Sequence, residues 1–414
     1  MNKIIRTIFI VVVILVFLVA FSPSYNSLNI DNLAYVVGLG IDFGENEKYR
    51  ISFQFSPKSS QSSSDTGSSS QSNSSSDAEQ NASSTINTVE APSIDMAINL
   101  MNSYLAKKIN LSHCKVVVFS EEVAYSGISD EIYTLTNNSE VRPSTNIIIS
   151  KDTAKNYLDN SSPILENMIT KYYEIFPNST KYTGYTYDAT LGEFFNSLVS
   201  IDSEPVAILG GVNSSSLNNL EGSIENSKSS QNALSGLRES ENIGLAVFKE
   251  GNLIGELNAS ETLCFSIIKG DLDSFLIRTL DPDDDTKYLD LIVFPKKSSV
   301  NVKIVNNSPF IEYNSKFVAR IHSMDQNSKY LDSNTLNRIS NSLNEYLTNS
   351  LTDYLYKTSL RFKSDINGFG EYALLNFLTI PEFEKYNWKD SYEDSIFKVN
   401  LDTMIDSSIL ITET

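Results

Sequence analysis

Two histidines, His113 and His322, and two cysteines, Cys114 and Cys264, are the whole stock from which this 414-residue chain could build a nucleophile–base pair or a zinc site. His113 and Cys114 are adjacent. Neighbours in an extended segment point to opposite faces, and no second ligand pair stands at zinc spacing. The cysteines lie in the apolar stretches LSHCKVVVF and ETLCFSI. Outside the membrane such a pair could form a disulfide. Their surroundings favour two separately buried thiols.

The carboxylates offer one pattern. Asp281–Asp285 reads DPDDD, with acids at alternate positions as in a calcium loop. Position six of that loop is Thr286 where glycine is needed, and position twelve is Ile292 where a glutamate is needed. A solvated acidic turn opened by Asp–Pro is the better reading. GLGIDFG, from Gly38 to Gly44, has its third glycine one place late for a dinucleotide loop, and a strand follows where a helix is required. Tyr182, Tyr185 and Tyr187 could stack on a sugar, but aromatics covering a core edge are commoner. There is no phosphate-binding P-loop, no GxSxG elbow and no carboxylate pair assignable to glycoside hydrolysis. No catalytic residue, metal ligand or cofactor site is expected.

The elements that would position these residues read as α+β, with mixed α/β units around central sheets. Ile8–Phe21 is an apolar run behind Lys3 and Arg6. It reads as a signal or membrane anchor over residues 1–24, with the rest exported. An uncleaved anchor is favoured, because Pro23 would follow the best cleavage site. Residues 28–205 are expected to form an N-terminal α/β domain. It starts with strands Tyr35–Ile41 and Tyr49–Phe55 and carries a disordered serine-rich insert at 56–90. Residues 206–280 read as a middle, mostly β domain with a polar loop at 213–240. There Ile243–Lys249 and Leu253–Leu257 flank the turn Glu250–Asn252. Residues 281–414 read as a C-terminal α/β domain. Strands are expected at Tyr288–Phe294, Val300–Val305, Pro309–His322, Phe397–Leu401 and Ile409–Ile411, and a long amphipathic helix near 333–363. Lys and Arg number 32 against 51 Asp and Glu, a net charge of −19. That sign argues against nucleic acid or anionic headgroups as general partners.

Several separated segments resemble the C subunits of bacterial spore germinant receptors, the Ger(x)C proteins. LAYVVGLGIDF carries their opening strand signature, with Gly38, Gly40 and Asp42. LSHCKVVVFSEEVAYSGISDEI and VRPSTNIIIS resemble their following strands. IGLAVFKEGNLIGELNASET is the most specific piece and supplies Gly244, Phe248 and Gly255. DINGFG brings Asp365, Gly368 and Gly370, with Trp388 downstream. The family is usually lipidated on a cysteine, and here Ser24 falls at that place. A serine hydroxyl cannot form the thioether, so no lipidation is expected and the apolar run becomes the anchor.

The resemblance implies a non-enzymatic subunit that helps assemble a nutrient-sensing receptor. Its partners would be A and B subunits in the spore inner membrane, with the body on the extracytoplasmic face. The ten motif residues are expected to shape that body. The alternatives are a membrane-anchored solute- or cell-wall-binding protein and, more weakly, an exported wall hydrolase.

Overall fold

The computed structural model describes residues 5, 6 and 13, then 32–56, 84–161, 166, 168–212, 240–281, 284–324 and 333–406. The apolar run apart from Val13, Ser24, most of the serine-rich insert, most of the 213–240 stretch and Ile409–Ile411 lie outside the described residues. Among the described residues no helix is long and apolar enough to cross a membrane.

The first sheet contains β1 (Leu33–Phe43), β2 (Tyr49–Phe55), β3 (Thr85–Ala91), β4 (Lys108–Asn110), β5 (Val116–Ser120), β6 (Asn146–Ser150), β7 (Val206–Val212), β8 (Ser240–Lys249) and β9 (Asn252–Leu257). Its order is β3-β2-β1-β5-β6-β7-β8-β9, with β4 beside the start of β1. The centre, β1-β5-β6-β7, is parallel, and antiparallel pairs flank it on both sides. Parallel strands covered on both faces read as unbroken apolar runs. VVVFS and NIIIS are such runs, buried at every position. Val117 and Phe119 enter one core, Val116 and Val118 the other.

The second sheet is β10 (Phe275–Asp281), β11 (Asp284–Val305), β12 (Ser308–Met324) and β13 (Ile396–Asp406), in that order. Asn306 and Asn307 join β11 to β12 with positive φ at both positions, the turn that matches strand twist. The helix Ser333–Tyr356 carries the chain back so that β13 lies parallel to β12. Its buried stripe includes Ile339, Leu343, Leu347, Leu351 and Tyr354, while Leu336, expected on the same face, is half-buried.

The helix Ala259–Lys269 buries eight of its 11 residues, Thr262 and Ser266 among them. It belongs to one core with Leu245, Val247 and Leu257 of the first sheet and Leu289, Leu291 and Val293 of the second.

Four expectations differ from this arrangement. The tail of the serine-rich insert, Thr85–Glu90, is strand: Ile86 and Val89 give β3 enough apolar content to pair with β2. Val300–Val305 is no separate strand but the end of the 22-residue β11. The stretch 206–280 contributes β7, β8 and β9 to the first sheet and β10 to the second. In the β8–β9 turn the positive φ angles fall on Glu250 and Gly251, while Asn252 already pairs as strand.

Candidate functional site

The glycines of GLGID are explained by what lies over them. The helix Ala154–Asp159 crosses β1 at Gly38 and Gly40. A Cβ at Gly40 would stand 3.0 Å from Leu158 and 3.3 Å from Ala154. One at Gly38 would stand 2.7 Å from Gln54 Oε1 and 3.0 Å from Leu158. Asp42, at the end of the same strand, takes the first N–H groups of that helix: Ala154 N–H donates to Oδ1 at 2.7 Å and Lys155 N–H to Oδ2 at 3.1 Å. Burial raises the Asp42 carboxyl above its ordinary value, and the two N–H groups oppose that. The motif is a seat and a cap for one helix.

The second motif fixes β8 and β9. Gly244 has φ +95, and a Cβ there would collide with the Leu257 carbonyl. The Phe248 ring meets Phe194 edge to face at 5.0 Å, and the Phe248 carbonyl accepts from Ser364 Oγ at 2.8 Å. Gly255 is the bed for Phe362: any Cβ would collide with that ring.

The third motif closes on itself. Asp365 is fully buried. It accepts from Gly368 N–H at 2.9 Å, Gly370 N–H at 2.8 Å and the Trp388 indole N–H at 2.9 Å. Desolvation pushes its carboxyl up to about 6, against the pull of the indole and backbone donors. Gly368 stands at φ +76. At Gly370 a Cβ would collide with the Asp202 carbonyl and lie 2.7 Å from the Trp388 ring. Glu204 N–H donates to the Asp365 carbonyl at 3.0 Å, and Lys389 Nζ pairs with the buried Glu204 carboxylate at 3.1 Å. All ten motif residues therefore serve packing or hydrogen bonding, and the third motif and Gly255 tie the two sheets together.

The residues singled out for chemistry are scattered. Cys114 and Cys264 are free and buried, and burial pushes each thiol up to about 12. His113 lies in a turn before β5, exposed, with its ring 4.5 Å from Tyr35. Among the described residues no group of three or more His, Cys, Asp or Glu could hold a metal ion. Asp281 is buried at the end of β10 rather than solvated; the side chains of 282–286 are outside the described residues. Tyr187 packs on Phe265 at 5.0 Å, while Tyr182 is exposed.

Three features had no sequence signal. Lys151 Nζ, at the end of β6, lies 2.5 Å from Glu256 and 3.4 Å from Glu121. Burial raises the Glu121 carboxyl, with Lys151 opposing and Glu256 adding. These residues are 30 and 105 positions apart, so only the sheet order brings them together. A groove of about 1020 Å³ runs along Leu276, Leu280, Tyr288 and Tyr346, where Arg278 is held by Asp290 in a two-point ion pair. A smaller cleft of about 300 Å³ lies between Ser203, Lys269, Asn367 and Tyr372.

Residues 26–210 match the family described as spore germination protein N-terminal domain. Residues 243–408 match the family described as spore germination B3/GerAC-like, C-terminal. YfkR of Bacillus subtilis (strain 168), a protein named for spore germination, is 23% identical over 202 residues, 49% of this chain and 49% of that protein. The chain thus spans about half the length of that curated relative. A crystal structure of the GerBC protein aligns with a TM-score of 0.49 and 16% identity, covering 89% of this chain and 96% of that one.

Proposed function

The chain belongs to the GerAC-like, or Ger(x)C, family of spore germination proteins, and from that membership we propose that it is a non-enzymatic C subunit of a nutrient germinant receptor. Its role is to assemble with A and B subunits at the spore inner membrane. The body stands on the extracytoplasmic face, and the N-terminal apolar run serves as its anchor.

The observation that carries the assembly role is one exposed apolar turn. Leu375 is 83% exposed, Leu378 94% and Ile380 58%, with Tyr372 also exposed beside them. The turn is held firmly. Asn376 Nδ2 donates to the Val302 carbonyl at 3.0 Å, and Leu378 N–H donates to Glu382 at 3.2 Å. Large aliphatic side chains pinned outward on one turn suit a protein interface better than an isolated surface. The packing roles of the motif residues also support a scaffold over a catalyst.

The test is purification of the tagged chain from spore membranes, with identification of the chains that come with it. The wild type should bring a polytopic subunit and a transporter-like subunit. The double variant Leu375→Ser, Leu378→Ser should keep the wild-type melting temperature and lose them. Recovery of no partner by the wild type, or undiminished recovery by the variant, would defeat the reading.

A further inference from the structure

We propose that the helix Ile94–Tyr104 rests the body on an anionic lipid surface through its outer face. That face is an exposed apolar stripe. Met96, Leu100 and Tyr104 follow one another at successive turns, and all three are exposed, Tyr104 at 87%. Ile94, Ala97 and Met101, on the other side of the helix, are buried in the core of the first sheet. Three side chains are too few for a stable protein interface, which takes roughly 20–30 residues a side. A tethered contact with lipid needs no more than these.

Topology puts the end of the stripe where the chain enters the body. β3 ends at Ala91, level with Tyr49 and Phe43, so the helix starts at the far end of β1. It runs back to β4, whose Lys108 pairs with Leu33 at the start of β1. Asn102 Oδ1 accepts from Ile109 N–H at 2.7 Å and ties the helix end to that strand. Tyr104 therefore lies at the Leu33 end. Residues 22–32 join the apolar run to Leu33 and span at most roughly 40 Å when fully extended. So short a tether makes contact between this end and the bilayer effectively intramolecular, and a weak surface affinity is enough. In this respect the inference rests on the apolar run being the anchor.

The charge at this end selects the lipid. Lys107 and Lys108 stand where the helix passes into β4, Lys115 just before β5, and Arg142 in the turn before β6. Glu140 accepts the Leu111 N–H at 2.9 Å, and Asp188 accepts from the Asn146 amide at 2.7 Å. The chain as a whole carries −19. An anionic surface therefore attracts this end and repels the rest, which turns the stripe toward the lipid. Tyrosine beside lysine suits the bilayer boundary, with the ring at headgroup level and the ammonium reaching outward. The ring pair of Tyr35 and His113, 4.5 Å apart, lies at the same end of β1.

The full chain reconstituted in vesicles tests the proposal. Cys114 and Cys264 are buried, so a single added cysteine takes a thiol-reactive fluorophore. One label goes on Ser103→Cys, beside Tyr104, and a control on Glu47→Cys, in the turn at the opposite end of β1. In vesicles of phosphatidylglycerol and phosphatidylcholine, nitroxide-bearing lipid should quench the first label at least ~3-fold more than the control. Leu100→Ser with Tyr104→Ser should abolish that difference at an unchanged melting temperature. Vesicles of phosphatidylcholine alone should reduce it by about half or more. Flotation of the same vesicles reads the anchor separately. A chain that does not float defeats the anchor reading and this proposal with it. A chain that floats while the Ser103→Cys label is quenched no more than the control defeats this proposal alone. It is also overturned if the double serine variant keeps the difference, or if neutral vesicles quench as strongly.

Discussion

A single carboxylate shows how residue-scale chemistry sets the fold here. Asp365 gathers three N–H groups that would otherwise be buried without acceptors. Asp365→Ala should therefore lower stability by about 3 kcal/mol or more, since each orphaned buried donor costs ~1–3 kcal/mol. Asp365→Asn keeps one acceptor oxygen and should cost less; equal losses in thermal melts would contradict this account. The pH dependence follows from the same group. Its carboxyl is raised from 3.8 to about 6. Between those values the native state holds a proton that the unfolded chain has released, so stability falls as pH rises through the window. The cost is complete above about pH 6 and absent below 3.8, and its full size is on the order of 3 kcal/mol. Asp42, also raised, acts in the same direction. Wild type should gain melting temperature from pH 7 to pH 5 relative to Asp365→Asn; parallel profiles would refute it. Sequence patterns located Asp365 and Trp388 as members of one motif set. The bond between them spans 23 positions and was not readable from spacing.

At the scale of elements, glycine positions separate two physical demands. Gly368 needs its positive φ, and a Cβ there meets nothing closer than 3.9 Å. Gly370 needs the space itself, against a backbone carbonyl and an indole. Gly368→Ala should cost about 1 kcal/mol, the ordinary left-handed penalty. Gly370→Ala should cost several times more, because backbone cannot step aside cheaply. Comparable melting temperatures for the two would show that the indole side simply shifts. Gly40→Val should similarly lift the helix Ala154–Asp159 from β1, at about 1–3 kcal/mol. The elements themselves were largely legible. Continuous apolar runs mark β5 and β6, and an apolar stripe at helical spacing marks the long helix. Two elements were not. β3 has only Ile86 and Val89 as large apolar residues within a polar context, and its partner strand decides its state. The serines and lysines of β11 near Lys297 interrupt the strand pattern, yet the ladder with β12 runs through them with a shift in register.

At the scale of the molecule, the domain divisions suggested by the polar stretches were the least legible part. A loop such as 213–240 looks like a linker in one dimension, whereas β7 and β8 on either side of it pair with each other. The two sheets share a core through the helix Ala259–Lys269, the seat of Phe362 on Gly255, and the pair of Lys357 with Glu261 at 2.6 Å. Sheets joined so should unfold together. Trp388 is the sole tryptophan and is buried in the shared core, so its fluorescence reports on the second sheet's side. Far-ultraviolet circular dichroism reports on both. The two signals should trace one transition in guanidinium, with the same midpoint. Gly255→Leu places a branched side chain where the Phe362 ring lies and should loosen the joint without touching either sheet's own ladder beyond β9. In that variant the fluorescence transition should move to lower denaturant than the circular dichroism transition. Separate midpoints already in the wild type would show that the shared core does not couple the sheets. A single unsplit transition in Gly255→Leu would show that the helix couples them without the Phe362 contact.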